Sequence, residues 1–477
     1  MTILSKLLLS RLRFNCYELG HTWNPSCSQV RLQLFTDSYK SLLPLYLFLN
    51  SSSYIYRYKT VSYKNLWPIV RTVLVRSHRS ATALGIFFFV TSLILCNVGH
   101  YLGFYNPLIL YMASFVSAFL AGIVETDRRL HLYIVYMLQL TFEMFVALAR
   151  DYQIKGHPII TPLVLAASIA THTYYSRTNG LSQTNFSNFL LLIVGKQNLS
   201  CVNSSDSTNT AGGGGGTTSK TGTSICETQG QNLCRHIDTC ASFALKRSAI
   251  VFACGAGASL GFRLVSSIPQ AIMQVRSGLA VSAALRRILS KKNMTMAVDL
   301  GAGLASFCGV YNRMACYLRQ RNGKEELWHT IPSSVLATFA SYLFWPSERL
   351  AIYALCNTLY DLYMAGVKKQ TIPIPPYGPQ LTFALISGIM FAMGSLKPHY
   401  VRKSYVNFLN RILGRRISLI NWSAISYMGF DSSKVYKENL PFLLNPEYVS
   451  RFYMQTMWVW SLADHVNKTY SRQPVPS

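Results

Sequence analysis

Two short segments concentrate side chains able to bind metals or react as nucleophiles. The first runs Asn15-Cys16-Tyr17-Glu18-Leu19-Gly20-His21-Thr22-Trp23-Asn24-Pro25-Ser26-Cys27, and the second, from Cys226 to Cys240, contains Cys234 and His236. Thiolate sulfur and imidazole nitrogen are ligands that zinc prefers, so Cys16, His21, Cys27, Cys234, His236 and Cys240 form a candidate metal-ligand set. Structural zinc sites usually show two tight pairs of the C-x2-C kind, and no such pair is present. The spacing favours ordered loops with free or redox-active thiols, with a metal as the alternative.

A second kind of chemistry lies inside the apolar runs. Glu143 and Asp361 each interrupt a hydrophobic stretch, and a cation follows seven residues later, Arg150 and Lys368. A charge at mid-membrane costs roughly 2.5 to 3.5 kcal/mol on insertion scales, so it turns towards protein, a partner or water. Seven residues is two helical turns, which puts each acid and cation on one face as a structural pair. The competing reading is a polar cavity or transport path, to which Asp299 would contribute.

These residues belong to two related halves. Asp127-Arg128-Arg129-Leu130-His131-Leu132-Tyr133 corresponds to Ser347-Glu348-Arg349-Leu350-Ala351-Ile352-Tyr353, about 220 residues on. The match continues, with a two-residue change of register, through Glu143 with Asp361, Pro158 with Pro376 and Ala166 with Ala384. A tandem duplication accounts for it.

What was duplicated is a membrane unit. Half of the residues are hydrophobic and 13% are charged, a polytopic composition. The net charge of +27 comes from Lys and Arg flanking apolar runs, which suits an anionic membrane surface and not nucleic acid. Apolar runs fall at Leu42–Leu49, Ala81–Val98, Pro107–Val124, Leu130–Ala149 and Ile159–Thr173, and again at Ala249–Phe262, Met296–Tyr311, Val335–Trp345, Leu350–Val367 and Leu381–Ser395. The fold expected is all-α, a polytopic helical bundle built from a tandem repeat with about 8–10 membrane helices. Five crossings in each half would invert the second copy relative to the first, as in many transporters.

The division that follows is a basic, Cys- and His-containing segment at 1–38, a first membrane repeat at 39–195 and a disordered Gly/Ser/Thr linker at 196–225. A Cys-containing segment with the second repeat covers 226–396, and a basic amphipathic tail covers 397–477. Small residues at four-residue spacing mark close helix packing: Ser114, Ala118 and Gly122; Ala253, Gly257 and Gly261; Gly301, Ala305 and Gly309; Ser333, Ala337 and Ser341. No nucleotide loop, nucleophile elbow, metalloprotease motif or haem signature occurs, so neither an enzyme nor a cofactor is expected.

The pieces Asn15-Cys16-Tyr17-Glu18, Gly20-His21-Thr22-Trp23 and Pro25-Ser26-Cys27, with Arg349-Leu350-Ala351-Ile352-Tyr353 and Lys397-Pro398-His399-Tyr400, resemble the transmembrane protein 135 family over nearly the whole chain. The central Gly/Ser/Thr stretch departs from the family pattern. The resemblance implies a multi-pass protein of peroxisomal and mitochondrial membranes that affects mitochondrial fission and lipid handling through the fission machinery or other organelle membrane proteins. The second half is also similar to the mitochondrial import translocase channel family. The repeat and the intramembrane acids suggest the alternative, a transporter or a lipid or metabolite channel.

Overall fold

Polar caps convert the apolar runs into helices with defined starts. Asn106 accepts a hydrogen bond from the Ile109 amide and is followed by Pro107, which has no amide proton to leave unpaired. Ser347 caps its helix in the same way through the Leu350 amide. The computed structural model describes residues 11–57, 66–152, 159–178, 185–195, 236, 239–276, 290–324, 326–373, 375–426, 432, 444–456 and 458–459. The linker expected at 196–225, together with Cys226 and Cys234, lies outside the described residues.

The helices, in chain order, are α1 (Cys16–Leu19), α2 (Cys27–Arg57), α3 (Leu66–Leu102), α4 (Pro107–Val124), α5 (Asp127–Asp151), α6 (Ile160–Thr178), α7 (Asn185–Val194), α8 (Cys240–Arg276), α9 (Lys291–Asn322), α10 (Thr330–Phe344), α11 (Glu348–Lys368), α12 (Gly378–Leu396), α13 (Lys403–Ile412) and α14 (Trp422–Ser426). The fold is all-α, and seven of these helices are long and apolar enough to cross a membrane: α3, α4, α5, α8, α9, α11 and α12. These seven are counted among the described residues alone, against about 8–10 expected for the whole chain. Two of the stretches that fall short have plain reasons: the apolar run of α2 is short, bounded by Lys40 on one side and by Asn50 and Ser51 to Ser53 on the other, and α10 has 15 residues, below the roughly 17 needed to span.

The chain forms two compact units that cut across the sequence repeats. One comprises Met1–Lys155 with Ile374–Ser477, the other Gly156–Pro373. In the first, α2 packs on α3, α3 on α4, and α12 on both α4 and α5. In the second, α8 packs on α9, α9 on α10, and α6 on both α10 and α11. The order of partners is the same in both units, as duplication requires. The helix of the fifth apolar run in each half is exchanged, however: α12 completes the bundle begun by α2–α5, and α6, with the short α7 after it, completes the bundle built by α8–α11.

Small residues let the helices approach closely. The face of α4 buries Ala113, Ser114, Ser117, Ala118, Ala121 and Gly122, and opposite it a Cβ on Gly388 of α12 would lie 2.9 Å from the Tyr111 ring. Helix α10 likewise buries Ser333, Ser334, Ala337, Thr338 and Ser341, with Ser334 hydrogen-bonded to Thr173 of α6 at 2.9 Å. On α8 the sequence pattern chose the wrong face. A Cβ at Gly257 or Gly261 would meet nothing within 4 Å, whereas one at Gly255 would lie 3.3 Å from the Gly301 Cα of α9. Gly255 and Gly257 differ by two residues, about 200° around the helix. The Gly255 register, interrupted by Val251, is the less regular of the two in sequence, and the position of α9 selects it. Gly301 and Gly309 do face α8, with added Cβ atoms 3.0 Å from the Phe252 carbonyl and 2.7 Å from Ser248 Oγ.

The tail also folds back on its own unit. Helix α13 turns Tyr405 inwards against Leu140, Met144 and Met390, so protein covers an apolar face that its sequence would suit to a membrane surface. Trp422, Ala424, Ile425 and Tyr453 pack with Leu12, Phe14, Leu19 and Leu396.

Candidate functional site

The N-terminal segment is a built structure. Asn15 and Glu18 form a reciprocal capping box around α1, and the C-terminal segment grips it from outside. Asn421 donates to the Glu18 carbonyl at 3.0 Å, and the Asn445 amide donates to the Tyr17 hydroxyl at 3.1 Å. Paired amide–carbonyl hydrogen bonds between Leu12 and Tyr105, both 2.8 Å, pin the chain start to the α3–α4 loop.

This framework brings together Cys16 from α1, His21 from the following loop, Cys27 at the start of α2 and Cys96 near the end of α3. One ligand atom from each lies within 4.8 Å of every other. The sulfurs of Cys16 and Cys27 are 3.2 Å apart, and Cys27 Sγ is 3.4 Å from His21 Nε2. His21 Nδ1 is 2.7 Å from the Asn24 carbonyl, a contact that requires a proton on Nδ1 and points Nε2 towards the thiols. Asn24 is itself held, its side chain accepting from the Ser26 amide at 2.9 Å.

The thiols share charge unequally. The hydrogen bond from Cys96, with further help from His21, lowers the Cys16 thiol below its ordinary value, while burial pushes Cys27 above it. Burial, with the Cys16 charge behind it, also pushes the Tyr105 hydroxyl well up.

Cys96 was not singled out by sequence because a Cys inside a long apolar run looks like a small core residue. The second segment behaves similarly. His236, Cys240 and Cys316 bring their ligand atoms within 4.8 Å of one another, and His236 Nε2 is 3.4 Å from Cys316 Sγ. Cys316 comes from α9, at a point the ligand spacing alone could not mark.

The Cys/His cluster borders a cavity of about 260 Å³ in the first unit. Val30 and Leu34 of α2, Phe88 and Leu95 of α3, Leu110 of α4 and Phe391 of α12 supply hydrocarbon walls, and Ile417, Ile420 and Trp422 line it from the tail. Arg416, also on the lining, is neutralised by Asp37 at 2.7 Å and lies over the Trp23 ring at 5.3 Å.

The intramembrane acids part company. Asp361, 6% exposed, meets His172 Nδ1 at 3.1 Å. This partner, on α6 and 3% exposed, comes from another helix and was not offered by the sequence spacing; the Lys368 side chain lies outside the described residues. His172 Nε2 in turn lies 2.9 Å from Ser187 Oγ of α7. The order Ser-His-Asp is that of a hydrolytic triad, but Ser187 is 2% exposed and Phe186 packs edge-on against the imidazole at 4.8 Å. A nucleophile so placed meets packed protein, so the chain of contacts reads as internal support.

Glu143 is half-buried and accepts a hydrogen bond from Gln139 at 3.0 Å. Arg150 and Asp299 are exposed. A polar group that sequence reading passed over is Glu125, 4% exposed, which caps the Thr126 amide at 2.9 Å and accepts from Tyr133 at 3.5 Å. Beside it, Arg129 donates to Asn50 and Ser80.

Residues 13–150 match the family model described as the N-terminal cysteine-rich region of Transmembrane protein 135. No solved structure matches the chain.

Proposed function

We propose, from the match of residues 13–150 to the N-terminal cysteine-rich region of Transmembrane protein 135, that this chain is a non-enzymatic multi-pass protein of peroxisomal and mitochondrial membranes that holds an apolar lipid segment and thereby influences lipid homeostasis, peroxisome organisation and mitochondrial fission. The observation that carries this reading is the cavity of about 260 Å³ with hydrocarbon walls. An apolar cavity of roughly 150 Å³ already takes up benzene. With Arg416 answered by Asp37, the interior suits an uncharged acyl or sterol segment. The fission machinery or other organelle membrane proteins would read the loaded state.

Full-length protein in detergent, exposed to a photoactivatable fatty acid and a photoactivatable sterol, should crosslink at residues 88–95 or 391–396. Leu34→Trp and Leu110→Trp fill the space from opposite walls. Each should cut labelling severalfold with the melting temperature preserved. Equal labelling in wild type and both variants would remove the lipid reading. For location, tagged protein at native expression is expected on peroxisomes and mitochondria, and residence solely at the plasma membrane or endoplasmic reticulum would contradict it.

One observation favours a second reading, a transporter or channel: the buried His172–Asp361 pair joins two helices of the second unit, and intramembrane titratable pairs often mark ion or substrate routes. Flux in reconstituted vesicles, abolished by Asp361→Asn, would select it. Labelling of Ser187 by a fluorophosphonate would instead establish an enzyme.

A further inference from the structure

We propose that Cys16, His21, Cys27 and Cys96 bind one zinc ion, which fastens the N-terminal segment to the end of α3. Three cysteines and one histidine are an established structural-zinc donor set, closed to solvent when all four positions are filled by protein. Zinc–sulfur bonds near 2.3 Å and zinc–nitrogen bonds near 2.0–2.1 Å, set tetrahedrally, place ligand atoms about 3.6–3.8 Å apart. The observed 3.2 and 3.4 Å, within an overall spread of 4.8 Å, need only small side-chain rotations to reach that geometry.

The supporting contact is in place as well. Zinc-bound histidines donate their other ring nitrogen to an oxygen that fixes tautomer and orientation, and the Asn24 carbonyl does this for His21 at 2.7 Å. A Cys16–Cys27 disulfide would explain two of the four residues and leave Cys96, 5% exposed, and His21, 4% exposed, converging on nothing.

The duplication supplies an independent argument. Cys96 and Cys316 are 220 residues apart, 316 less 96, which is the separation of Asp127 and Ser347, 347 less 127. Both cysteines meet a His and a Cys from the segment preceding their own repeat. Retention of a helix thiol at the same repeat position, facing a Cys/His segment each time, fits selection for a ligand better than chance core packing.

Zinc content of full-length protein, purified in detergent under reductant and without added chelator, should fall by about one equivalent per chain in Cys96→Ser, and Cys254→Ser, an exposed cysteine outside both clusters, should keep the wild-type value. His21→Cys preserves a four-ligand set and should retain the metal. Cobalt exchanged into wild type should give ligand-field bands of a tetrahedral thiolate site, and these should change in His21→Cys. If Cys96→Ser fails to fold, the cobalt spectra and the His21→Cys zinc content still decide. Wild-type zinc in Cys96→Ser, no tetrahedral cobalt spectrum, or recovery of Cys16 and Cys27 as a disulfide after thiol trapping in cells would each overturn the proposal.

Discussion

Gly301→Leu should collapse the folded yield of the full-length protein, while Gly257→Leu should leave it near wild type. At position 301 even a Cβ would lie 3.0 Å from the Phe252 carbonyl oxygen and 3.2 Å from the Ala256 Cβ. The obstacle on one side is backbone, which cannot rotate away, and a leucine adds three further carbons. Overpacking of this kind costs about 1–3 kcal/mol or more in a packed core. In lipid, close contact is itself a main source of helix association, so α8 and α9 would lose much of what joins them. At position 257 the added side chain meets open space, and such substitutions usually stay within about 0.5 kcal/mol. Thermal midpoints and monodisperse yield in detergent measure the contrast. Equal behaviour of the two variants would mean that α8 presents a different face to α9.

The second large effect is expected at Asp361. Asp361→Ala removes the group facing His172 Nδ1 in a site where both side chains are nearly inaccessible, 2% and 5% exposed. Breaking a buried ion pair costs about 3–5 kcal/mol, and orphaning a neutral buried donor about 1–3. Asp361→Asn retains an acceptor oxygen for the imidazole N–H and should recover much of the loss. Ser187→Ala, at the far end of the same contacts, should cost about 1 kcal/mol. If Asp361→Ala and Asp361→Asn prove equally mild, the pair is not structural, and the contact has to be explained by transport. If Asn folds normally yet stops flux in vesicles, the same conclusion follows with a direct readout.

The seven candidate spans and the family motifs were legible in the chain because hydropathy, caps and turn residues act locally. Asn106-Pro107 and Ser347 start their helices through contacts three residues away, a range that any reading of the sequence includes. The four-residue stripe of α4 was legible for the same reason, since its whole buried face lies on one helix. The first three zinc ligands were visible as residue types in one short segment, but the ligand that completes the set was not.

Cys96 lies 69 positions after Cys27, 96 less 27, in an apolar helix where a buried cysteine has an ordinary packing explanation. Its role depends on where the end of α3 sits against α1, and on the Leu12–Tyr105 pairing that holds the segment there. Asp361 is a similar case. Sequence offers a cation two turns along the same helix, and tertiary structure offers His172 from the other repeat. The His172 contact follows from the exchange of α6 and α12, which joins α6 and α7 of the first copy to α8–α11 and joins α12 of the second copy to α2–α5. Periodicity marks the apolar face of each helix and is silent on which copy supplies the fifth one. What decides is the three-dimensional fit: Gly388 receiving Tyr111 across α4 and α12, and Ser334 meeting Thr173 across α10 and α6. Local patterning thus determined which stretches are helices and which can enter a membrane, and long-range packing decided which side chains meet.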